Sequence, residues 1–156
     1  MLDTFFILTA KYLFLVPVLC SGVYFLLQPR ASQKKILMFA VPSLALTYLL
    51  ALLASHLYYD PRPFVLGNFT PLIPHAPDNG FPSDHALLVS AIAIIGSYLN
   101  RKLGAALWVF GLLVAIARVY VGVHHPIDVT ASICISILAT SIVYFCITCV
   151  WHTEIS

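Results

Sequence analysis

Charge is scarce in this sequence: Asp, Glu, Lys and Arg supply 9% of its 156 residues, against 61% hydrophobic residues, and the mean hydropathy is +0.97. Soluble domains carry about 25% charged residues, so an ordinary water-facing surface is excluded and lipid is the expected solvent. A basic surplus that would suit nucleic acid is also missing, since eight Lys and Arg stand against six Asp and Glu. No connection carries a cysteine. Cys20, Cys134, Cys146 and Cys149 all fall inside apolar stretches, where a disulfide framework has no loop to staple. Cys146-x-x-Cys149 has a redox or zinc spacing, but on an apolar helix it reads as small filler. Met1 to Leu27 lacks the basic start and small-residue cleavage site of a signal peptide and reads instead as a first span. Internal repeats and low-complexity stretches are not evident.

What the sequence does have is long apolar runs: about Thr4 to Leu27, Ile36 to Leu57, Ser83 to Leu99, Leu103 to Val121 and Ile127 to Trp151. Every backbone polar group inside hydrocarbon must be bonded within the protein, and runs of this length suit spanning helices rather than barrel strands. The expected fold is therefore all-α, a polytopic membrane bundle of about five transmembrane helices in a single domain, 1–156. Arg30, Lys34 and Lys35 occupy the first connection, and Arg101 and Lys102 the third. The positive-inside bias places both in the cytoplasm, leaving Tyr58 to Pro82 and Gly122 to Pro126 outside, with the N-terminus outside and Lys11 snorkelling outward.

On that outer side gather His56, Asp60, Arg62, His75, Asp78, Asp84, His85, Arg118, His124, His125 and Asp128. Ionisable groups at a membrane boundary are costly unless paired or solvated, so a convergent set marks a functional site. Asp60, His75 and Asp78 also fit as solvated residues of a stiff loop rich in Pro, Gly and Asn. Arg118 follows an almost wholly apolar stretch and needs an anionic partner, either a carboxylate such as Asp128 or Asp84, or a bound phosphate. Arg62 lies between Pro61 and Pro63, which hold its backbone extended, so two rigid guanidinium groups could clamp an oxyanion. Ser83 reads as an N-cap with His85 in the first turn, and a helix N-terminus is itself an anion site. His124 and Asp128, four residues apart, can share a face: an acceptor on one ring nitrogen would fix the tautomer and free the other to attack. His125 points elsewhere and reads as a boundary residue. A metal on His56, His85, His124 and Asp128 is the competing use, opposed by two arginines and by the lack of a metal-ligand spacing.

In this order, Arg62-Pro63, then Pro82-Ser83-Asp84-His85, then Arg118 with His124 and Asp128 resemble the type 2 phosphatidic acid phosphatase superfamily. Its pattern is a Lys seven residues before Arg-Pro, then Pro-Ser-Gly-His, then Ser-Arg with the His and Asp at the spacing that Arg118, His124 and Asp128 keep. Asp84, with the run Val119 to Pro126, resembles the bacterial undecaprenyl pyrophosphate phosphatases of the bacitracin-resistance type. The resemblance implies a phosphohistidine formed on His124, Asp128 orienting it, and His85 protonating the leaving group and then activating water. It implies phosphate contacts from Arg62, Arg118, Ser83 and the Asp84 position with its neighbouring backbone N–H groups. It implies no metal or other cofactor, a lipid phosphate or diphosphate as partner, and a bacterial inner or plasma membrane with the site facing the periplasm or exterior.

The chain departs from the pattern at three places. Ser55 stands where the family has Lys, with His56 beside it as a substitute phosphate-binding cation; Ala117 replaces Ser before Arg118; and Asp84 replaces Gly. Members commonly have six spans, so the first helix is expected to be the one lacking. The expected activity is removal of phosphate from undecaprenyl diphosphate or a similar lipid phosphate. Phosphatidic acid, phosphatidylglycerol phosphate and lipid A phosphate are alternative substrates. A weak or inactive relative that binds anionic headgroups is the rival reading from another class. A transporter is a poorer one, because its spans should carry ionisable residues at depth.

Overall fold

A computed structural model describes the backbone of residues 1–153 and side chains through residue 149. Positions 154–156 of the expected domain, and the side chain of Trp151 at the end of the last expected span, lie outside the described residues. The described chain forms the helices α1 (Leu2–Tyr12), α2 (Leu15–Leu26), α3 (Arg30–Leu57), α4 (Pro63–Leu66), α5 (Asp84–Leu99), α6 (Arg101–Tyr120) and α7 (Pro126–Thr153).

The five apolar runs all become helical, but not as five equal spans. Among the described residues three helices are long and apolar enough to cross a membrane: α3, α6 and α7 over Pro126–Cys149. The first run is broken into α1 and α2, bent by 44°. Pro17 explains the break, because it has no N–H to give the Leu13 carbonyl, which instead accepts from Val16 at 3.0 Å. The third run, α5, has 16 residues. At 1.5 Å per residue it reaches about 24 Å, short of a hydrocarbon core of about 30 Å. The expected count of five thus resolves into three full-length helices, one broken pair and one short helix.

That short helix is the centre of the bundle. Its Ala86, Ser90, Ala91, Ala93 and Gly96 are buried, and small side chains let neighbouring backbones approach closely, the usual basis of helix packing in lipid. Gly104 of α6 lies so near Ser97 that a Cβ there would overlap the Ser97 backbone. The turn between α5 and α6 is one residue, Asn100, whose side-chain oxygen accepts from the N–H groups of Lys102 (2.9 Å) and Leu103 (3.0 Å) and so caps α6. Buried hydroxyls line the α5–α7 seam: Ser132 donates to the Ser83 carbonyl at 2.9 Å and Ser136 to the Leu87 carbonyl at 3.0 Å. Outside, large apolar side chains such as Leu19, Leu26, Leu49, Val109 and Phe145 are exposed. Small and polar inside with apolar outside is a bundle built for lipid.

The basic residues Arg30 and Arg101 begin α3 and α6, while Arg62, Arg118 and His124 lie at or beyond the opposite ends of those helices. The N-terminal end of α1 reaches that same end of α6, where Tyr120 donates to Asp3 at 2.8 Å.

Candidate active site

Five chain segments deliver the polar cluster. Arg62 comes from the link into α4, the loop 67–82 brings Asp78 to Gly80, the last turn of α6 carries Arg118, the tight turn after it carries His124, and the first turn of α7 carries Asp128. That turn depends on Gly122, whose φ of +81° is the left-handed conformation that side chains disfavour. The Phe81–Pro82 peptide bond is cis, immediately before Ser83 and α5.

His124 is the focus. Its Nδ1 lies 2.9 Å from the Gly80 carbonyl and 3.3 Å from Asp128 Oδ2. A carbonyl can only accept, so Nδ1 carries the proton and Nε2 keeps its lone pair. Nε2 faces two cations, Arg118 Nη2 at 3.3 Å and Arg62 Nη1 at 3.5 Å. Burial first, and then the charges of Arg118 and Arg62, hold the imidazole below its ordinary 6.5, against the opposing hydrogen bond to Asp128. A neutral, oriented imidazole with two guanidinium groups beside its lone pair can attack an anion that those groups hold.

Both arginines are almost fully buried, at 5% and 4% exposure, a costly arrangement without partners. Arg62 donates through Nε to Asp78 Oδ1 at 2.7 Å and through Nη1 to the Val123 carbonyl at 2.9 Å. Although burial pushes the Asp78 carboxyl up, the hydrogen bond and charge of Arg62 hold it below its usual range. Two buried donors of the cluster, Arg118 Nε and Ser83 Oγ, have no hydrogen-bond partner among the described residues. Unmade bonds of this kind cost about 1–3 kcal/mol each, and a bound oxyanion is what would satisfy both. Asp128 Oδ1 is buried and unpaired as well. Near it, burial and then the charge of Asp128 push the Asp60 carboxyl above its ordinary 3.8, against the charge of His125.

Of the residues singled out in the sequence, Arg62, Arg118, His124 and Asp128 come together here. Ser83 occupies the N-cap position but makes no side-chain cap bond. His85 is half-buried with its ring edge-on to Phe14, 4.9 Å between centroids, and within electrostatic reach of Arg118 and His124. Asp84 is exposed and lines a neighbouring cavity of ≈ 140 Å³ together with Ser55, Asp78 and Asn79. His56 is not brought in: it is exposed, with Nδ1 2.9 Å from the Leu52 carbonyl of its own helix. Ser55 is engaged instead by Asn79, whose side-chain nitrogen donates to the Ser55 carbonyl (3.1 Å) and hydroxyl (3.2 Å). His125 Nε2 lies 3.2 Å from the Pro61 carbonyl. Among the described residues no group of three His, Cys, Asp or Glu side chains is placed to hold a metal ion.

Sequence reading missed the Gly80 carbonyl and Asn79, and it placed Asp78 in the outer set without its pairing to Arg62. Asp78-Asn79-Gly80 was visible as a turn, and Asn in a turn bonds backbone groups. Asn79 does so on both sides, accepting from the N–H groups of Asp60 and Phe81 at 3.0 Å each.

The PAP2 superfamily profile matches residues 36–151. The chain belongs to the PAP2 superfamily. It is 36% identical over 140 residues to undecaprenyl-diphosphatase BcrC of Bacillus subtilis (strain 168), covering 88% of this chain and 70% of that protein. It is 30% identical over 137 residues to the bacitracin transport permease protein BcrC of Bacillus licheniformis, covering 87% and 67%. The crystal structure of Aquifex aeolicus LpxE superposes with a TM-score of 0.73 at 25% identity, over 92% of this chain and 85% of that one. This PAP2 chain is accordingly an integral membrane phosphatase, and the cluster around His124 is its candidate active site.

Proposed function

We propose that the protein, a single domain over 1–156, removes the terminal phosphate of a polyprenyl diphosphate such as undecaprenyl diphosphate, through a phosphohistidine on His124. The observation that carries this reading is His124 itself: Nδ1 tied to the Gly80 carbonyl and Nε2 aimed between Arg62 and Arg118. Relatives named undecaprenyl-diphosphatase support the substrate class.

In the first step the Nε2 lone pair forms a bond to phosphorus while the bond to the bridging oxygen breaks. His85, protonated, gives that oxygen its proton. Arg62, Arg118 and Ser83 donate to the equatorial oxygens, offsetting the charge that spreads over them in the transition state. In the second step His85 takes a proton from water, which attacks phosphorus; the P–N bond breaks and inorganic phosphate leaves. The positive charge that appears on His124 is countered by Asp128.

The basic residues at the starts of α3 and α6 support a cytoplasmic position for those ends, hence a site on the periplasmic or outer face of a bacterial inner or plasma membrane. The diphosphate would enter from that face while its tail stays in lipid.

The deciding experiment is phosphate release from prenyl diphosphate by purified protein in detergent. Wild type should turn over and His124→Ala should lose nearly all activity. Equal rates from the two would remove His124 as nucleophile, and tight lipid binding without turnover in wild type would favour a binding protein.

A further inference from the structure

His75 faces this cluster and has no part in the steps above. It lies in the long loop, but that stretch of loop is not free. Leu72 N–H donates to the Val121 carbonyl at 3.0 Å, and Ile73 is 3% exposed in a core with Ala117, Val121 and Val123. Pro74 and Pro77 stiffen the backbone on either side. The result is an imidazole held 6.3 Å, centroid to centroid, from that of His124, with the rings 72° apart.

This separation is too great for the two rings to bond each other, and a single oxygen at hydrogen-bond distance from a nitrogen of each ring would span it. His75 Nδ1 lies 3.4 Å from the Ala76 carbonyl, and Nε2 has no hydrogen-bond partner among the described residues. The charged and titratable groups around it are Arg62 and Asp78 from the loop and its approach, Arg118 from α6, His85 from α5 and His124. Asp78 is already paired with Arg62, so the surroundings of His75 are cationic until an anion arrives.

We propose that His75 is a phosphate-contacting residue, donating from Nε2 to a non-bridging oxygen of the phosphoryl group seated against His124. The ring takes a proton from solvent as the dianion binds. Nδ1–H then keeps the Ala76 carbonyl and Nε2–H faces the phosphate. Burial, Arg62 and Arg118 lower the His75 imidazole from its ordinary 6.5, so near pH 7 the added charge comes with the bound anion. The extra donor comes from the outer loop, where neither Ser55 nor the outward-facing His56 supplies one.

The proposal rests on the reading of His124 as the seat of the phosphate, and its test separates the two. Inorganic phosphate serves as the probe, as a competitive inhibitor of prenyl diphosphate hydrolysis and as a stabiliser in thermal melting, with full-length protein in detergent. His75→Ala should raise the Ki for phosphate and the KM for lipid by about 10-fold or more, the scale of one charge-assisted hydrogen bond, with a smaller change in kcat. His75→Gln, which keeps a neutral donor, and His75→Lys, which keeps the charge, should each recover part of the loss. Phosphate inhibition in wild type should also weaken as pH rises, and that dependence should flatten in His75→Gln. A His75→Ala or His75→Gln enzyme with Ki and KM within twofold of wild type overturns the proposal while leaving His124 untouched. Wild-type protein that neither turns over nor is stabilised by phosphate overturns both readings.

Discussion

Asp128→Asn tests how the nucleophile is held. In the proposed chemistry Asp128 orients His124, yet its Oδ2 is the more distant of two acceptors, 3.3 Å from Nδ1 against 2.9 Å for the Gly80 carbonyl. The same oxygen also accepts the His125 N–H at 2.8 Å. Where an aspartate is the sole support of a catalytic histidine, Asn in its place costs about 10⁴ in kcat because the wrong tautomer results. Here the Gly80 carbonyl still demands a proton on Nδ1, so the tautomer survives. What is lost is one charge-assisted bond and the countercharge for the phosphorylated ring, about 1.5–3 kcal/mol, which converts to a kcat lower by about 10- to 150-fold. The variant is near-isosteric at a fully buried site, and its carbonyl oxygen can still take the His125 N–H. Single-turnover phosphate release, with melting temperature as the control for folding, reads the effect directly. A loss as large as that of His124→Ala, in protein that melts normally, would refute the reasoning: Asp128 alone would then set the tautomer, and the Gly80 contact would be incidental.

Three other outcomes follow from the same geometry. Since burial and the two guanidinium groups hold His124 below 6.5, its neutral, attacking form persists as pH falls through 6.5; the limb of kcat/KM belonging to this group should lie below that pH, and a limb at or above it would contradict the assignment. Arg118→Lys should lower kcat/KM by about 10²–10³, because an ammonium cannot reproduce the in-plane fork; a change under threefold would remove Arg118 from the clamp. His56→Ala, at an exposed side chain bonded within its own helix, should leave steady-state rates within about twofold of wild type, whereas a tenfold rise in KM would restore His56 as the substitute cation.

How much of this was legible in the sequence varies with the range of the interaction. Arg118, His124 and Asp128 lie within one helix end and one turn, so their fixed spacing announces a common site. Arg62 was legible through its flanking prolines, which restrict it locally. His56 fails for the same local reason: adjacency to Ser55 says that it is near, but helical rotation by one residue turns the side chain about 100° away, and the ring ends on the helix's own backbone. The contacts that settle the chemistry are not local. The Gly80 carbonyl meets His124 across a separation of 44 residues, and Asn79 reaches Ser55 across 24. A backbone carbonyl has no sequence signature, so nothing in the residue pattern could have named Gly80 as the group that sets the tautomer. The space is tight there: a Cβ at Gly80 would stand 3.2 Å from Asp128 Oδ2 and from the Asp60 carbonyl oxygen, so those neighbours would have to give by a few tenths of an ångström. The span count misleads for a related reason. Hydropathy sees five apolar runs, but α5 starts only at Asp84, after the N-cap Ser83, and its 16 residues leave it short. Pro17 breaks α1 from α2, with the ring of Phe14, beside that break, packed edge-on against His85. Both departures from five straight spans, the short α5 and the α1–α2 break, therefore meet at His85.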